Sequence, residues 1–449
     1  MAVPRRHEAM RVGALWAPVL ALLAAVCGCG PAGPPGATGP GVRDIQRMLD
    51  RRADALLDRD AGRFLATVDP AAGAYRADQR RLLRNLAEVP LSSWRYRLTG
   101  TGGFDPAPAA GREPSGGSAR RVAAEVRLSY RLDGHDPRPV TEERRLTVVE
   151  RDGRWYVSAE QDPAAGETRD DSAGGGEPPE PLWEQGEVEA VRGSRSLVLG
   201  VGHDPGRLRD IAETTDRAVP AVDAAWQRGE WARRVVVLVP RSLADMARLL
   251  GEPAANYRGI AAVTTGFTPR KTGRPGDAPA DRVIVNPEAY AALGESGQRF
   301  VLTHETAHVA TRAHTSRATP LWLSEGFADW AGYRDSGGEP AAAAPVLRRQ
   351  VAAGRSPGGL PADEDFGFTG DSDRLAMAYE RGWLACRMIA DEWGERKLVD
   401  FYRAVGSPAA AGEPDRRRSL DRALREVLDV DGTAALTERW RAYVTAQLR

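Results

Sequence analysis

The chain has 449 residues, with 62 Lys+Arg balanced by 62 Asp+Glu and hydrophobic residues at 42%. That length exceeds one ordinary domain, so two globular units, each with its own core, are expected. A net charge of zero offers no basic footprint for nucleic acid and no acidic tail, which argues against a nucleic-acid partner.

The chain opens like an export signal, residues 1–28: Arg5, Arg6 and Arg11 precede an apolar run from Ala14 to Val26, too short for a comfortable membrane span. The run ends in Val26-Cys27-Gly28-Cys29, which resembles the lipobox of bacterial lipoproteins. The resemblance implies cleavage before Cys29, lipidation of Cys29 and an anchor on the extracytoplasmic face of the cell membrane. A plain secretory signal with incidental cysteines is the alternative. Cleavage there would leave Cys386 as the one further cysteine, so no disulfide framework is expected, and its apolar helical setting makes Cys386 a small buried hydrophobe. Residues 29–41 are rich in Pro and Gly and read as a tether.

From Val42 a helical pattern places Ile45, Met48, Leu49, Leu56, Phe64 and Leu65 on one face. Strand patterns follow: Trp94, Tyr96 and Leu98 alternate with polar residues, as do Val122, Ala124, Val126, Leu128 and Tyr130, then Leu146 and Val148. Asp152-Gly153 is a hairpin signal. These elements predict an α+β domain over residues 42–160, interrupted by a Gly/Pro loop from Gly102 to Ser118. Their order resembles the nuclear-transport-factor-2-like (NTF2-like) fold, a curved antiparallel sheet wrapped on helices. No His/Asp pair here points to catalysis, so an accessory role is expected. Residues 161–181 lose all periodicity and read as a linker.

The second unit, residues 182–449, opens with strands at Val188–Val191 and Leu197–Val201, then a helix through Leu208, Ile211, Val219 and Trp226 and a buried strand Val235–Val239. Ser242 is placed to cap a short helix that Gly251 ends. Two further strands are expected at Ile260–Thr265 and Val283–Val285, and beyond Glu295 the pattern is mainly helical.

At the junction stands His304-Glu305-Thr306-Ala307-His308, the H-E-x-x-H pattern. On a helix its histidines share one face a turn apart, close enough to hold one Zn²⁺, with Glu305 placed as general base. The bland alternative is a pair of satisfied core histidines. A catalytic zinc takes three protein ligands and keeps a position for water. Glu325 is one candidate for the third: Thr319 and Pro320 start a new helix that can return antiparallel to the first. His314 is the other, since His304 to His314 meets H-E-x-x-H-x-x-G-x-x-H except at Thr311. Glycine at that place lets the chain leave the helix sharply, a conformation costly for a β-branched residue, which favours Glu325.

Trp322-Leu323-Ser324-Glu325-Gly326-Phe327-Ala328 is similar to the third-ligand helix of the glutamate-zincins (gluzincins), peptidase MA-like enzymes that include the aminopeptidase N family. Tyr379-Glu380-Arg381-Gly382 resembles their Tyr-x-Lys-Gly segment, with Arg381 in place of lysine. The resemblance covers residues 182–449. It implies a thermolysin-like layout, a sheet-bearing lobe followed by a helical lobe, with one Zn²⁺ on His304, His308 and Glu325. It further implies that Asp329 orients a ligand histidine, that Glu305 is the general base and that Tyr379 is the oxyanion donor. The Gly-x-Met-Glu-Asn strand that holds a substrate amine in the aminopeptidases is replaced by Gly259-Ile260-Ala261-Ala262-Val263. An endopeptidase acting on a peptide or protein at the cell envelope is therefore expected. The rival is a non-catalytic envelope-binding lipoprotein on a peptidase-like scaffold. If Cys29 carries the anchor, Cys29→Ala moves the protein from the membrane fraction to the soluble fraction; unchanged membrane retention on fractionation contradicts the lipobox reading.

Overall fold

The computed structural model describes residues 40–108, 119–161, 179–227, 229–267, 280–334, 340–367, 372–407 and 416–448. The export signal, Cys29 and the tether as far as residue 39 lie outside the described residues, as do 109–118 of the Gly/Pro loop and 162–178 of the linker. Helix α1 (Pro40–Leu57) begins inside the expected tether and turns Ile45, Met48, Leu49 and Leu56 inward. It does not run on to Phe64. Arg59 takes a positive φ of 58°, and the Asp60 carboxylate accepts from the Arg63 N–H to start α2 (Ala61–Leu65), which brings Phe64 and Leu65 to the same core.

After α3 (Gly73–Asn85) the chain forms an antiparallel meander of β1 (Leu91–Thr101), β2 (Arg120–Leu132), β3 (Val140–Arg151) and β4 (Arg154–Gln161), ordered β1-β2-β3-β4. Asp152 and Gly153, at φ 48° and 71°, make the two-residue turn between β3 and β4, a backbone that matches the strand twist.

Short α4 (Leu182–Gln185) leads to a second sheet of β5 (Val188–Arg192), β6 (Ser196–Val201), β7 (Val235–Val239), β8 (Ala262–Phe267) and β9 (Ala280–Val285). Its order is β5-β6-β7-β9-β8, with β6, β7 and β9 parallel and the two outer strands antiparallel to their neighbours. Helix α5 (Pro205–Ala225) joins β6 to β7; α6 (Leu243–Leu250) is capped by Ser242 and closed by Gly251 at φ 70°. β8 begins two residues later than its apolar run suggests, because Ile260 belongs to the turn that precedes it.

The expectation of two separate cores fails at this sheet. β6, β7 and β9 are apolar on both faces, so each face needs a cover. Val198, Val235, Val237, Val283 and Val285 pack on α5 and the helix that follows the sheet, whereas Leu197, Leu199, Val236, Leu238 and Ile284 merge with the core of the first unit. A buried ion pair pins this seam: Asp136, on the β2–β3 turn, accepts from both terminal nitrogens of Arg282 on β9, at 2.8 and 2.9 Å. Stripping one partner from such a pair typically costs ~3–5 kcal/mol.

The remainder is helical: α7 (Pro287–Ala291), α8 (Glu295–Thr311), α9 (Leu321–Tyr333), α10 (Pro340–Ala343), α11 (Pro345–Ala352), α12 (Ser372–Trp393), α13 (Glu395–Gly406), α14 (Arg416–Ala423) and α15 (Gly432–Leu448). Trp226, Phe327, Trp383, Tyr402 and Trp440 centre their core. Among the described residues no helix is long and apolar enough to cross a membrane.

Candidate metal centre

Helix α8 carries the H-E-x-x-H pentad, and α9 returns beside it with Glu325 and Asp329 one turn apart. The ligand atoms of His304, His308 and Glu325 all lie within 4.8 Å of one another. The two Nε2 atoms face each other at 3.1 Å, and Glu325 Oε2 stands 3.4 Å from one and 3.5 Å from the other. On the far side of its ring, His304 Nδ1–H donates to Asp329 Oδ1 at 2.8 Å. That bond fixes the tautomer and leaves the Nε2 lone pair directed at the cluster, the state a ligand histidine needs.

The electrostatics describe a cation site. Burial alone would favour neutral His304, but Asp329 and Glu325 outweigh it and raise its pKa well above the ordinary imidazole value. Burial also works against ionised Glu325, yet the charges and hydrogen bonds of His308 and His304 pull its carboxyl well below the usual range. Surroundings that favour positive charge on His304 and negative charge on Glu325 are those a divalent cation would suit. The donor set of two imidazoles and one carboxylate fits zinc, with the third carboxylate, Asp329, kept for orientation.

Glu305 is met by Thr264 on β8: the Thr264 hydroxyl donates to Glu305 Oε2 at 2.7 Å and lies 3.0 Å from the Glu305 carbonyl. The edge strand therefore aims the general-base candidate. Nothing in the sequence marks Thr264, because the contact spans 41 positions and depends on how β8 seats on α8.

Tyr379 reaches the cluster from α12, where it lies in the second turn. Burial, followed by the negative charges of Glu325, Asp329 and Glu305, raises the pKa of its hydroxyl well above the phenol value. It stays a donor. The approach is set by two glycines: a Cβ at Gly326 would overlap the Gly382 carbonyl, and one at Gly382 would stand 2.9 Å from the Trp322 carbonyl. Each motif glycine thus lets α9 and α12 touch backbone to backbone beside the residue it accompanies.

Two further residues escaped sequence reasoning. Thr319 does not cap α9; its hydroxyl accepts from the Ser316 N–H, and the helix start is held by Asp363, which accepts from the Leu321 N–H at 2.9 Å. Glu380, next to Tyr379, accepts the Val346 and Leu347 N–H groups at the start of α11, at 3.0 and 2.6 Å. Helix α8 continues through Thr311 and passes into a short 3-10 turn, Arg312–His314. His314 lies outside the cluster, its ring 5.7 Å from that of Trp226. Cys386 is fully buried, its Sγ 3.8 Å from the Leu323 carbonyl.

A cleft of about 840 Å³ opens onto His304, Glu305 and Asp329. One wall is the stretch from Gly259 to Ala262 leading into β8, and the other comes from α8, α9, α10 and α12.

No family model matches the chain, and no curated protein matches it. Among solved structures, yeast LTA4 hydrolase in complex with Bestatin aligns at 16% identity and a TM-score of 0.32, over 54% of this chain and 38% of that one. Native yeast LTA4 hydrolase aligns at 15% identity and a TM-score of 0.31, over 58% of this chain and 38% of that one. The chain spans well under half the length of either.

The geometry separates the two candidate third ligands. Glu325→Ala is expected to weaken zinc binding by at least about a hundredfold, and His314→Ala to leave it within about twofold, as read by competition with a chromogenic chelator. Zinc loss in His314→Ala with retention in Glu325→Ala contradicts the ligand set.

Proposed function

We propose that the chain is a zinc-dependent peptidase of the gluzincin kind, cutting peptide bonds with Glu305 as general base. The observation that carries this reading is the convergence of His304, His308 and Glu325 on one point with Asp329 behind the first imidazole. When bound there, zinc would polarise a scissile carbonyl and make a water molecule acidic enough to deprotonate near neutral pH.

The chain's own residues supply the rest. Glu305, aimed by Thr264, takes a proton from the attacking water and passes it to the departing amine nitrogen. Tyr379, kept protonated by its buried acidic surroundings, donates a hydrogen bond to the oxygen on which negative charge develops. β8 lies at the edge of its sheet, hydrogen-bonded to β9 on one side, so its other side offers backbone groups to an extended peptide.

The stretch Gly259-Ile260-Ala261-Ala262-Val263 brings no carboxylate to grip a free amine, which supports an endopeptidase over an aminopeptidase. The lipobox-like Val26-Cys27-Gly28-Cys29 supports action at the cell envelope, with the NTF2-like unit, residues 42–160, as an accessory to the thermolysin-like unit, 182–449.

The test is a mixed peptide library incubated with purified zinc-loaded protein, with and without a chelator, beside Glu305→Gln. Wild type is expected to cleave and to stop on chelation. Glu305→Gln should keep about one zinc per chain while losing several orders of magnitude in turnover. Zinc loss from folded Glu305→Gln, or equal cleavage by that variant, counts against the assigned role.

A further inference from the structure

Each of the three helices that build the site carries an aromatic residue one turn from its polar one. On α8 Phe300 precedes His304 by four positions, on α9 Tyr333 follows Asp329 by four, and on α12 Trp383 follows Tyr379 by four. Residues so spaced share a helix face, so what gathers the polar groups also gathers the rings. Phe300 and Tyr333 have ring centroids 4.3 Å apart, and Tyr333 and Trp383 5.2 Å. Phe300 and Tyr333 line the cleft that opens onto His304 and Glu305, and Trp383, almost fully buried, borders it from behind Tyr333.

Two details mark this wall as a built pocket. A side chain at position 332 would collide with the Phe300 ring, which Gly332 lets settle against α9. Ala342, Ala343 and Ala376 also line the cleft, small residues that leave room. Two carboxylates along the wall are engaged by the protein itself: both Glu380 oxygens accept backbone N–H groups of α11, and Asp329 Oδ1 holds His304.

We infer that the wall of Phe300 and Tyr333, backed by Trp383, is a specificity pocket for a large apolar side chain, aromatic above all, on the substrate residue flanking the cleaved bond. This rests on the peptidase reading and gives it a substrate class. An aromatic side chain buries enough surface, and stacks well enough on rings, to discriminate strongly against alanine.

The full zinc-loaded chain is offered end-blocked peptides that differ only in one residue at the mapped cut, phenylalanine against alanine. The expected result is a preference of about a hundredfold in kcat/KM at one fixed subsite, cut about tenfold by Phe300→Ala and kept by Phe300→Tyr. A second arm needs no turnover: binding of N-acetyl-phenylalanine amide and N-acetyl-alanine amide to Glu305→Gln, followed by saturation-transfer NMR, with Phe300→Ala added to that background. The phenylalanine amide should bind more tightly, and the added substitution should abolish the difference. Equal binding of the two amides, or cleavage indifferent to the flanking residue or favouring charged ones, overturns the pocket. Discrimination in the binding arm with no cleavage of any peptide upholds the pocket and counts against the peptidase reading alone.

Discussion

Three carboxylates and two imidazoles share a small, mostly buried space, and that excess of negative charge is the constraint from which the site follows. Glu305, Glu325 and Asp329 lose much of their hydration there, a cost that burial exacts unless opposite charge is supplied. In the chain alone the nearest remedy is a proton on His304, which is why its affinity for protons is raised. A divalent cation answers the same demand with more charge and suits the lone pairs that Asp329 has oriented. The arrangement is costly as a mere core and sensible as a metal centre.

Backbone contact keeps these groups together. Gly326 and Gly382 remove the side chains that would hold α9 and α12 apart, and inserting bulk at such a contact typically costs ~1–3 kcal/mol. Because Glu325 and Tyr379 sit beside those glycines, the contact that packs the helical lobe also sets the distance between them. The sheet does the same for Glu305 through Thr264 on β8. β9, the neighbour of β8, carries Asp281, which holds Arg312 just beyond α8 at 2.7 Å, and Arg282, which holds Asp136 of the first unit. The first unit is thus mechanically continuous with the strand pair that borders the cleft.

What the sequence disclosed divides along a physical line. The pentad, the helix bearing Glu325 and Asp329, the Ser242 and Gly251 caps and the Asp152-Gly153 turn were legible because each depends on spacing within a few residues. Thr264, Asp363 and Glu380 were not, since each acts on a partner 33 to 42 positions away and nothing local marks the pairing. The merged core was missed for a related reason. Unbroken apolar runs show that β6 and β7 have two apolar faces but not that the first unit covers one of them. Thr319 misled because it has the right chemistry for a cap, while Ser316 claims its hydroxyl and Asp363 takes the vacant N–H.

The central claim is that the charge of this cluster is balanced by one zinc ion on two imidazoles and one carboxylate. Zinc K-edge X-ray absorption on the metal-reconstituted full chain tests it most directly, read with the metal content per chain. The account predicts one zinc per chain, two imidazole nitrogens and low-Z oxygen scattering consistent with a carboxylate and water, with no sulfur. A third imidazole, a sulfur ligand from cysteine, or failure of the folded chain to retain stoichiometric zinc would contradict it.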